Sequence, residues 1–293
     1  MADGLTIRSG FGDLYRPLLA ASTALTICVI GLGAYVRLTD AGLGCPDWPG
    51  CYGHLVVPEH AADVGRAWRE MIHRYAAGSL GLLIICLTGA AWLRNARRLA
   101  PPWPAIGLSG LVVVQALLGM WTVTELLRPI VVTAHLLGGM LLWTLLVALC
   151  RIEFGTAAQA KVTPLGVVAL AAAMVQVALG GWVSSHYAGL ACPDFPACPG
   201  GWIPDDTPAG IQWLHRLGAL VAVAAVSSYA AVLIRSAATR RLGIAIAAAL
   251  GVQLTLGIAN VLLRLPLPLA VAHNLGAAAL LATLAWATAG KAG

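Results

Sequence analysis

The sequence predicts an all-α integral membrane protein of eight transmembrane helices, laid out as two tandem four-helix bundles about a pseudo-two-fold axis near the membrane normal. Three observations lead there. Hydrophobic residues make up 59% of the 293 and charged residues only 10%, with a mean hydropathy of +0.84, a composition whose apolar surface a water-soluble domain could not hide. The charges cluster and leave apolar runs of about 20 residues, the length that crosses a bilayer core as a helix. The two halves of the chain also repeat one another at matched positions.

Taken in order, the expected spans are 16–36, 71–93, 104–124, 129–150, 163–183, 211–234, 241–263 and 268–288. In lipid every backbone polar group must be satisfied within the protein, so runs this rich in Leu, Ala and Val are helices. No small-residue cleavage site follows the first run, which is read as a retained helix and not as a signal peptide. The net charge of +6 is topological and does not mark a nucleic-acid binder. Arg8, Arg16, Arg94, Arg97, Arg98, Arg151, Lys161, Arg235, Arg240, Arg241 and Lys291 fall on one side of the eight-span arrangement. Arg37, Arg66, Arg69, Arg74, Arg128, Arg216 and Arg264 fall on the other, spread over longer loops. The positive-inside rule then puts both termini in the cytoplasm and the long loops, Arg37 to Glu70 and Ser184 to Gln212, outside.

The repeat is direct. GAYVRLTDAGLGCPDWPGC from Gly33 to Cys51 aligns with GGWVSSHYAGLACPDFPAC from Gly180 to Cys198, identical at ten of nineteen positions. At slowly drifting offsets, Ile72-His73-Arg74 matches Leu214-His215-Arg216, and Gln115, Gly119 and His135 match Gln253, Gly257 and His273. This is the mark of a tandem duplication, with residues 1–152 and 153–293 as the two units. Four spans per unit is an even number, so the units are parallel and related by an axis along the membrane normal.

Four of the seven His residues occupy these matched places. His73 and His215 are expected to open the second helix of each unit, and His135 and His273 to sit just inside the fourth. In an up-down bundle those two helices stand diagonally opposite, so a His on each can reach the bundle axis and hold a haem between them. A polar residue bonding a neighbouring backbone is the plainer account of one intramembrane His, but it does not explain four at equivalent positions. Gly78, Gly81, Gly138, Gly139, Gly218 and Gly276 follow the ligands and leave room for a flat macrocycle, although small residues also serve ordinary helix contact. Arg74 and Arg216 are read either as propionate contacts or as snorkelling interface anchors. His54, His60 and His186 have no repeat partner and are read as solvated.

One asymmetry points to chemistry. Glu70 stands about one helical turn before His73, whereas the residue in that place before His215 is the neutral Gln212. A carboxylate beside a haem can take a proton or stabilise a developing cation where an amide cannot, so the first unit is the expected reaction centre; a helix-start Glu favoured by the macrodipole is the competing account. Cys45 with Cys51 and Cys192 with Cys198 lie in matching outer-loop turns where local disulfides can form, either as staples or for redox exchange. Cys28, Cys86 and Cys150 are read as packing residues.

These residues together resemble the haem A synthase family, in the bacterial subgroup with a cysteine pair in each half. The resemblance spans nearly the whole chain: eight spans, duplicated halves, the Glu70-to-His73 motif, four His and the loop cysteines. It implies an oxidoreductase of the bacterial inner membrane that oxidises a methyl group of haem O to a formyl group, giving haem A for terminal oxidase assembly. It implies that His73, His135 and Glu70 receive the substrate haem O in the first half, and that His215 and His273 hold a haem B in the second that passes electrons. Haem O synthase and cytochrome oxidase assembly factors are the implied partners, along with the lipid bilayer; the electron acceptor and any homo-oligomer are left open. Two rivals stand beside this reading: a diheme b-type electron carrier with no chemistry on the macrocycle, and a thiol oxidoreductase acting through the loop cysteines.

Overall fold

The computed structural model describes residues 14–96, 101–155, 163–198 and 201–289. Arg8, Arg97, Arg98, Lys161 and Lys291 of the charge pattern lie outside the described residues. Eight long helices account for nearly all of the described chain: α1 (Tyr15–Leu38), α2 (Val64–Ala96), α3 (Trp103–Thr124), α4 (Pro129–Phe154), α5 (Pro164–Ser185), α6 (Thr207–Arg235), α7 (Arg240–Leu262) and α8 (Leu267–Thr288). Each is long and apolar enough to cross a membrane, and the chain is a multi-pass membrane protein. Their outward faces are as apolar as their cores, with Leu82, Ile85, Leu220 and Val221 each more than half exposed, as lipid-facing positions require.

The helix ends follow elementary rules. Proline opens α4 and α5, where its missing N–H would have no partner anyway. Thr163 and Asp206 cap α5 and α6 by accepting from the N–H groups of Gly166 and Ala209. The turns after α3 and α7 are built alike: Leu126 and Leu127 in one, Arg264 and Leu265 in the other, all take positive φ. The N–H of Leu127 then closes on the Thr122 carbonyl, and that of Leu265 on Asn260, satisfying carbonyls that the helix leaves open.

Within each half the helices pack as a ring, α1·α2·α3·α4 and α5·α6·α7·α8, so α2 stands diagonally from α4 and α6 from α8. The halves meet where α4 touches α5 and α8, and α1 touches α8. Trp143 on α4 donates from its indole N–H to the Ala278 carbonyl on α8 at 2.8 Å. At the loop end, Arg37 of α1 donates to the Ser184 carbonyl of α5, pairs with Asp40 at 3.5 Å and lies 4.1 Å over the Tyr187 ring.

Two helices differ from expectation. The span predicted to begin at residue 71 is a helix from Val64, and the one predicted from 211 begins at Thr207. With 33 residues α2 is about 50 Å long, well beyond the ~30 Å bilayer core. Its first two turns stand among the outer loop, with Ala67 and Met71 buried against Cys45 and Cys51. Helix α4 runs on to Phe154, across the 152/153 division drawn between the units. Cys28 and Cys86 are exposed and do not pack inward, contrary to expectation; Cys150 lies against the Thr23 hydroxyl at 3.3 Å.

Candidate haem sites

The packed cores of both bundles lie away from the loops. In the first half Leu19, Ile84, Leu87, Leu108 and Leu146 are fully buried together, and in the second Val226, Tyr229, Ile246, Leu281 and Leu284. Toward the loop end apolar packing gives way to histidine, glutamine and glycine. His73 is the tenth residue of α2 and His215 the ninth of α6. Neither opens its helix as expected, because the polar turns before them are themselves helical. His135 and His273 are each the seventh residue of α4 and α8.

Each imidazole rests on a glycine of the neighbouring helix. A methyl group at Gly33 on α1 would stand 3.0 Å from Cε1 of His73, and one at Gly119 on α3 would stand 3.4 Å from Cε1 of His135. In the second half Gly180 and Gly257 stand in the same relation to His215 and His273, at 3.1 and 3.0 Å. Glycine is needed here because the ring lies where a Cβ would project. His73 lies within electrostatic range of His135, and His215 within range of His273.

Whether these pairs suit a haem is tested by their hydrogen bonding. Nδ1 of His73, His135 and His273 is shut off from solvent without a close, well-aligned hydrogen bond, and the polar neighbours of these rings include the backbone of Val29, Gln115 and Gln253 respectively. Among the described residues no group of three or more His, Cys, Asp or Glu side chains is placed to hold a bare metal ion. A pair of imidazoles on diagonal helices suits a metal that brings its own equatorial ligands, as a porphyrin iron does. The glycines singled out for macrocycle room behave unevenly. Gly138 and Gly276 take the side chains of Gln115 and Gln253, Gly218 takes Gln176 and Leu179, and Gly81 meets Val112; only Gly78 faces open space.

Glu70 is buried, 4% exposed. One carboxylate oxygen accepts from the Cys45 backbone N–H at 2.9 Å, and the other is paired with Arg74. It is therefore not a residue at a helix start, since α2 begins six residues earlier. In the second half Gln212, also 4% exposed, accepts from the Cys192 N–H and donates to the Gly189 carbonyl at 2.9 Å. Both side chains tie a cysteine loop to the helix that bears a histidine.

Arg74 and Arg216 face those loops. Arg74 donates to the carbonyls of Asp47 and Gly50, and Arg216 to those of Pro196, Ala197 and Cys192. Their guanidinium groups thus serve as plugs under the turns, a use that neither the propionate nor the snorkelling reading anticipates; Nε of Arg216 is buried and unpartnered. The loops are closed by disulfides, Cys45–Cys51 and Cys192–Cys198, whose cysteines are 0, 0, 0 and 6% exposed. In the first loop Asp47 accepts from the N–H groups of Tyr52 and Gly53 at 2.6 and 2.7 Å. Desolvation acts to raise its carboxyl, but the N–H groups of Gly53 and Tyr52 and the charge of Arg74 outweigh it and hold the carboxyl below its ordinary value. His54 and His60 stand edge to face with ring centroids 6.0 Å apart, and His186 stacks on Trp182 at 4.3 Å.

Sequence reasoning missed the glycine seats. The signal was present, since Gly33 with Gly180 and Gly119 with Gly257 are all repeat-matched, but which helix each would face is a matter of packing.

Comparison with known proteins bears on the whole chain. The family model described as cytochrome oxidase assembly protein, COX15-CtaA, matches residues 16–285. Heme A synthase of Shewanella oneidensis is 39% identical, over 91% of this chain and 93% of that protein. Heme A synthase of Paracoccus denitrificans is 30% identical over 90% and 84%, and that of Rhizorhabdus wittichii 27% over 90% of each.

Proposed function

The chain belongs to the cytochrome oxidase assembly family described by the COX15-CtaA model, and from that premise we propose that it is a haem A synthase, an oxidoreductase that converts haem O to haem A by successive oxidation of a ring methyl group. Beyond family membership, one observation carries this reading: in each half two histidines stand on diagonal helices within electrostatic range of one another, each ring seated on a glycine of the neighbouring helix.

The halves take different roles. His73 and His135 receive the substrate haem O in the N-terminal half. His215 and His273 hold a haem B in the C-terminal half, and that group supplies one-electron transfer when bound. Glu70 supports this division. Gln212 shows that tying the cysteine loop to the helix needs only an amide oxygen, so the charge on Glu70 is available for a further task. One turn from His73, the carboxylate accepts a proton or stabilises positive charge as the substrate is oxidised. Arg74 pairs with it and holds it in place. Both termini lie in the cytoplasm and the sites open toward the outer face of the bacterial inner membrane, a sidedness supported by the charge bias across the spans.

The rivals fare less well. A thiol oxidoreductase needs a sulfur that a partner thiolate can attack, and all four loop cysteines are buried. A diheme carrier gives no use for a carboxylate confined to one half. The deciding experiment is haem extraction and mass analysis of the purified protein after expression with and without haem O synthase. Haem A formed only when haem O is supplied supports the reading; haem B alone, with no conversion, sinks it in favour of the carrier.

A further inference from the structure

Both disulfide loops leave their turns in the same way. Cys51 and His54 exchange backbone hydrogen bonds at 2.7 and 3.1 Å, and Cys198 and Gly201 exchange theirs at 3.2 and 3.1 Å. The next two residues are Leu55-Val56 in the first loop and Trp202-Ile203 in the second, equivalent by the register that aligns Cys51 with Cys198. Leu55 is 77% exposed, Val56 59%, Trp202 66% and Ile203 81%. One exposed apolar side chain is ordinary. An apolar pair left open at the same place in both loops marks a surface that something covers.

Arginines fix the level at which these tips stand. On α2 no charge occurs between Arg74 and Arg94, and the 19 residues Tyr75–Leu93 rise about 28 Å, close to the ~30 Å of a bilayer core. On α6 the 18 uncharged residues Leu217–Ile234, between Arg216 and Arg235, rise about 27 Å. Arg74 and Arg216 therefore mark the loop-side edge of the core, and both donate to carbonyls of the cysteine turns, Asp47 and Gly50 in one and Pro196 and Ala197 in the other. Tyr75, the first residue of the uncharged run, donates its hydroxyl to the Leu55 carbonyl. It is exposed on the flank of α2, as is Ile72 one turn before. The first tip is thus continuous with the surface that α2 gives to lipid.

We propose that Leu55-Val56 and Trp202-Ile203 are a pair of membrane anchors, inserted among the headgroups and first acyl carbons of the leaflet on the loop side. Tryptophan favours that boundary, and Leu, Val and Ile supply apolar area that water would otherwise face. The residues that follow are acidic, Glu59 in the first loop and Asp205 and Asp206 in the second, so the anchors act through apolar contact and a zwitterionic lipid suffices. Through Glu70 and Gln212 the same loops are tied to the helices of His73 and His215. Each loop is therefore held on one side by the protein and on the other by the bilayer.

The test attaches nitrobenzoxadiazole, a fluorophore sensitive to its surroundings, at Leu55→Cys, at Ile203→Cys and, as an aqueous reference, at Glu59→Cys. Each is made in a Cys28→Ala, Cys86→Ala, Cys150→Ala background and placed in phosphatidylcholine nanodiscs, with mass analysis to confirm that both disulfides are intact. Both tip labels are expected to emit at shorter wavelength than the reference. They are also expected to be quenched several-fold more by a phosphatidylcholine carrying a nitroxide near the carbonyl end of its acyl chain, and to be shielded from iodide. Quenching of either tip label by iodide and not by the nitroxide puts that tip in water and overturns the proposal. Shielding from both quenchers puts it against protein, a second copy or a partner, and overturns it equally. Val56→Asp beside the first label, or Trp202→Asp beside the second, is expected to return the label to water; an unchanged signal means that the apolar pair does not hold the tip, which also refutes the anchor.

Discussion

Glu70 in one half and Gln212 in the other perform the same mechanical task with different chemistry. Each is buried one turn before a histidine, and each accepts from the backbone N–H of the first cysteine of a disulfide loop. The amide completes the job with a second bond to the Gly189 carbonyl, whereas the carboxylate needs Arg74 beside it. A buried ion pair is a costly substitute for a satisfied amide unless its charge is used. The comparison teaches why the half retaining the costlier group is the one proposed to react.

The sharpest way to break that contrast is through the ligands. His73→Ala or His135→Ala is expected to reduce haem A formation to background while haem B remains bound, and His215→Ala or His273→Ala to remove haem B; pyridine haemochrome spectra with mass analysis distinguish these. Symmetric loss from both halves would erase the division of roles.

Next comes the exchange of the two acceptors. Glu70→Gln preserves the bond to Cys45 and removes only the charge, so haem A formation is expected to fall by roughly a hundredfold, the usual scale for an acid–base group, with haem content unchanged. Gln212→Glu is expected to leave turnover within about twofold. Full activity in Glu70→Gln would make Glu70 a loop anchor and nothing more.

The glycine seats sharpen the geometry with smaller effects. Gly33→Ala puts a methyl group 3.0 Å from the His73 ring, and Gly119→Ala one 3.4 Å from His135. The first is expected to lower substrate-haem occupancy several-fold and the second less, read from titrations of haem binding; the opposite order would mean that the rings are seated elsewhere.

The smallest effect belongs to Asp47. Its folded carboxyl titrates below the ordinary value, so its contribution to the loop is complete above the unfolded value of about 3.9 and is lost as pH falls through the folded one. Proteolytic nicking of the first loop is expected to rise below about pH 4 in the native protein. Asp47→Asn is expected to show raised nicking at all pH values, without that acid step.

The spans were legible because bilayer thickness dictates the length of an apolar run, and the His pairs because the repeated sequence puts them at matched positions. The starts of α2 and α6 were not. Residues 64–70 include Arg66, Arg69 and Glu70, so hydropathy ends before the helix does; those turns are helical because Ala67 and Met71 pack on the disulfide loop, a long-range contact. The same folding-back of the loops brings the carbonyls of Asp47 and Pro196 to Arg74 and Arg216, which no local spacing announces. The asymmetry at Glu70 was visible as a letter change, but its shared bond to the cysteine backbone emerged only in three dimensions.

The clasp of Arg37 on Ser184 and Tyr187 bears on traffic between the halves. It fastens the loop-side tips of α1 and α5, the helices that carry the Gly33 and Gly180 seats, to one another. On the proposed reading, the loosening that admits a tetrapyrrole to the first bundle falls to its far walls, α2 and α3. If each half takes a haem as proposed, the same clasp sets the distance that charge has to cross from one bundle to the other.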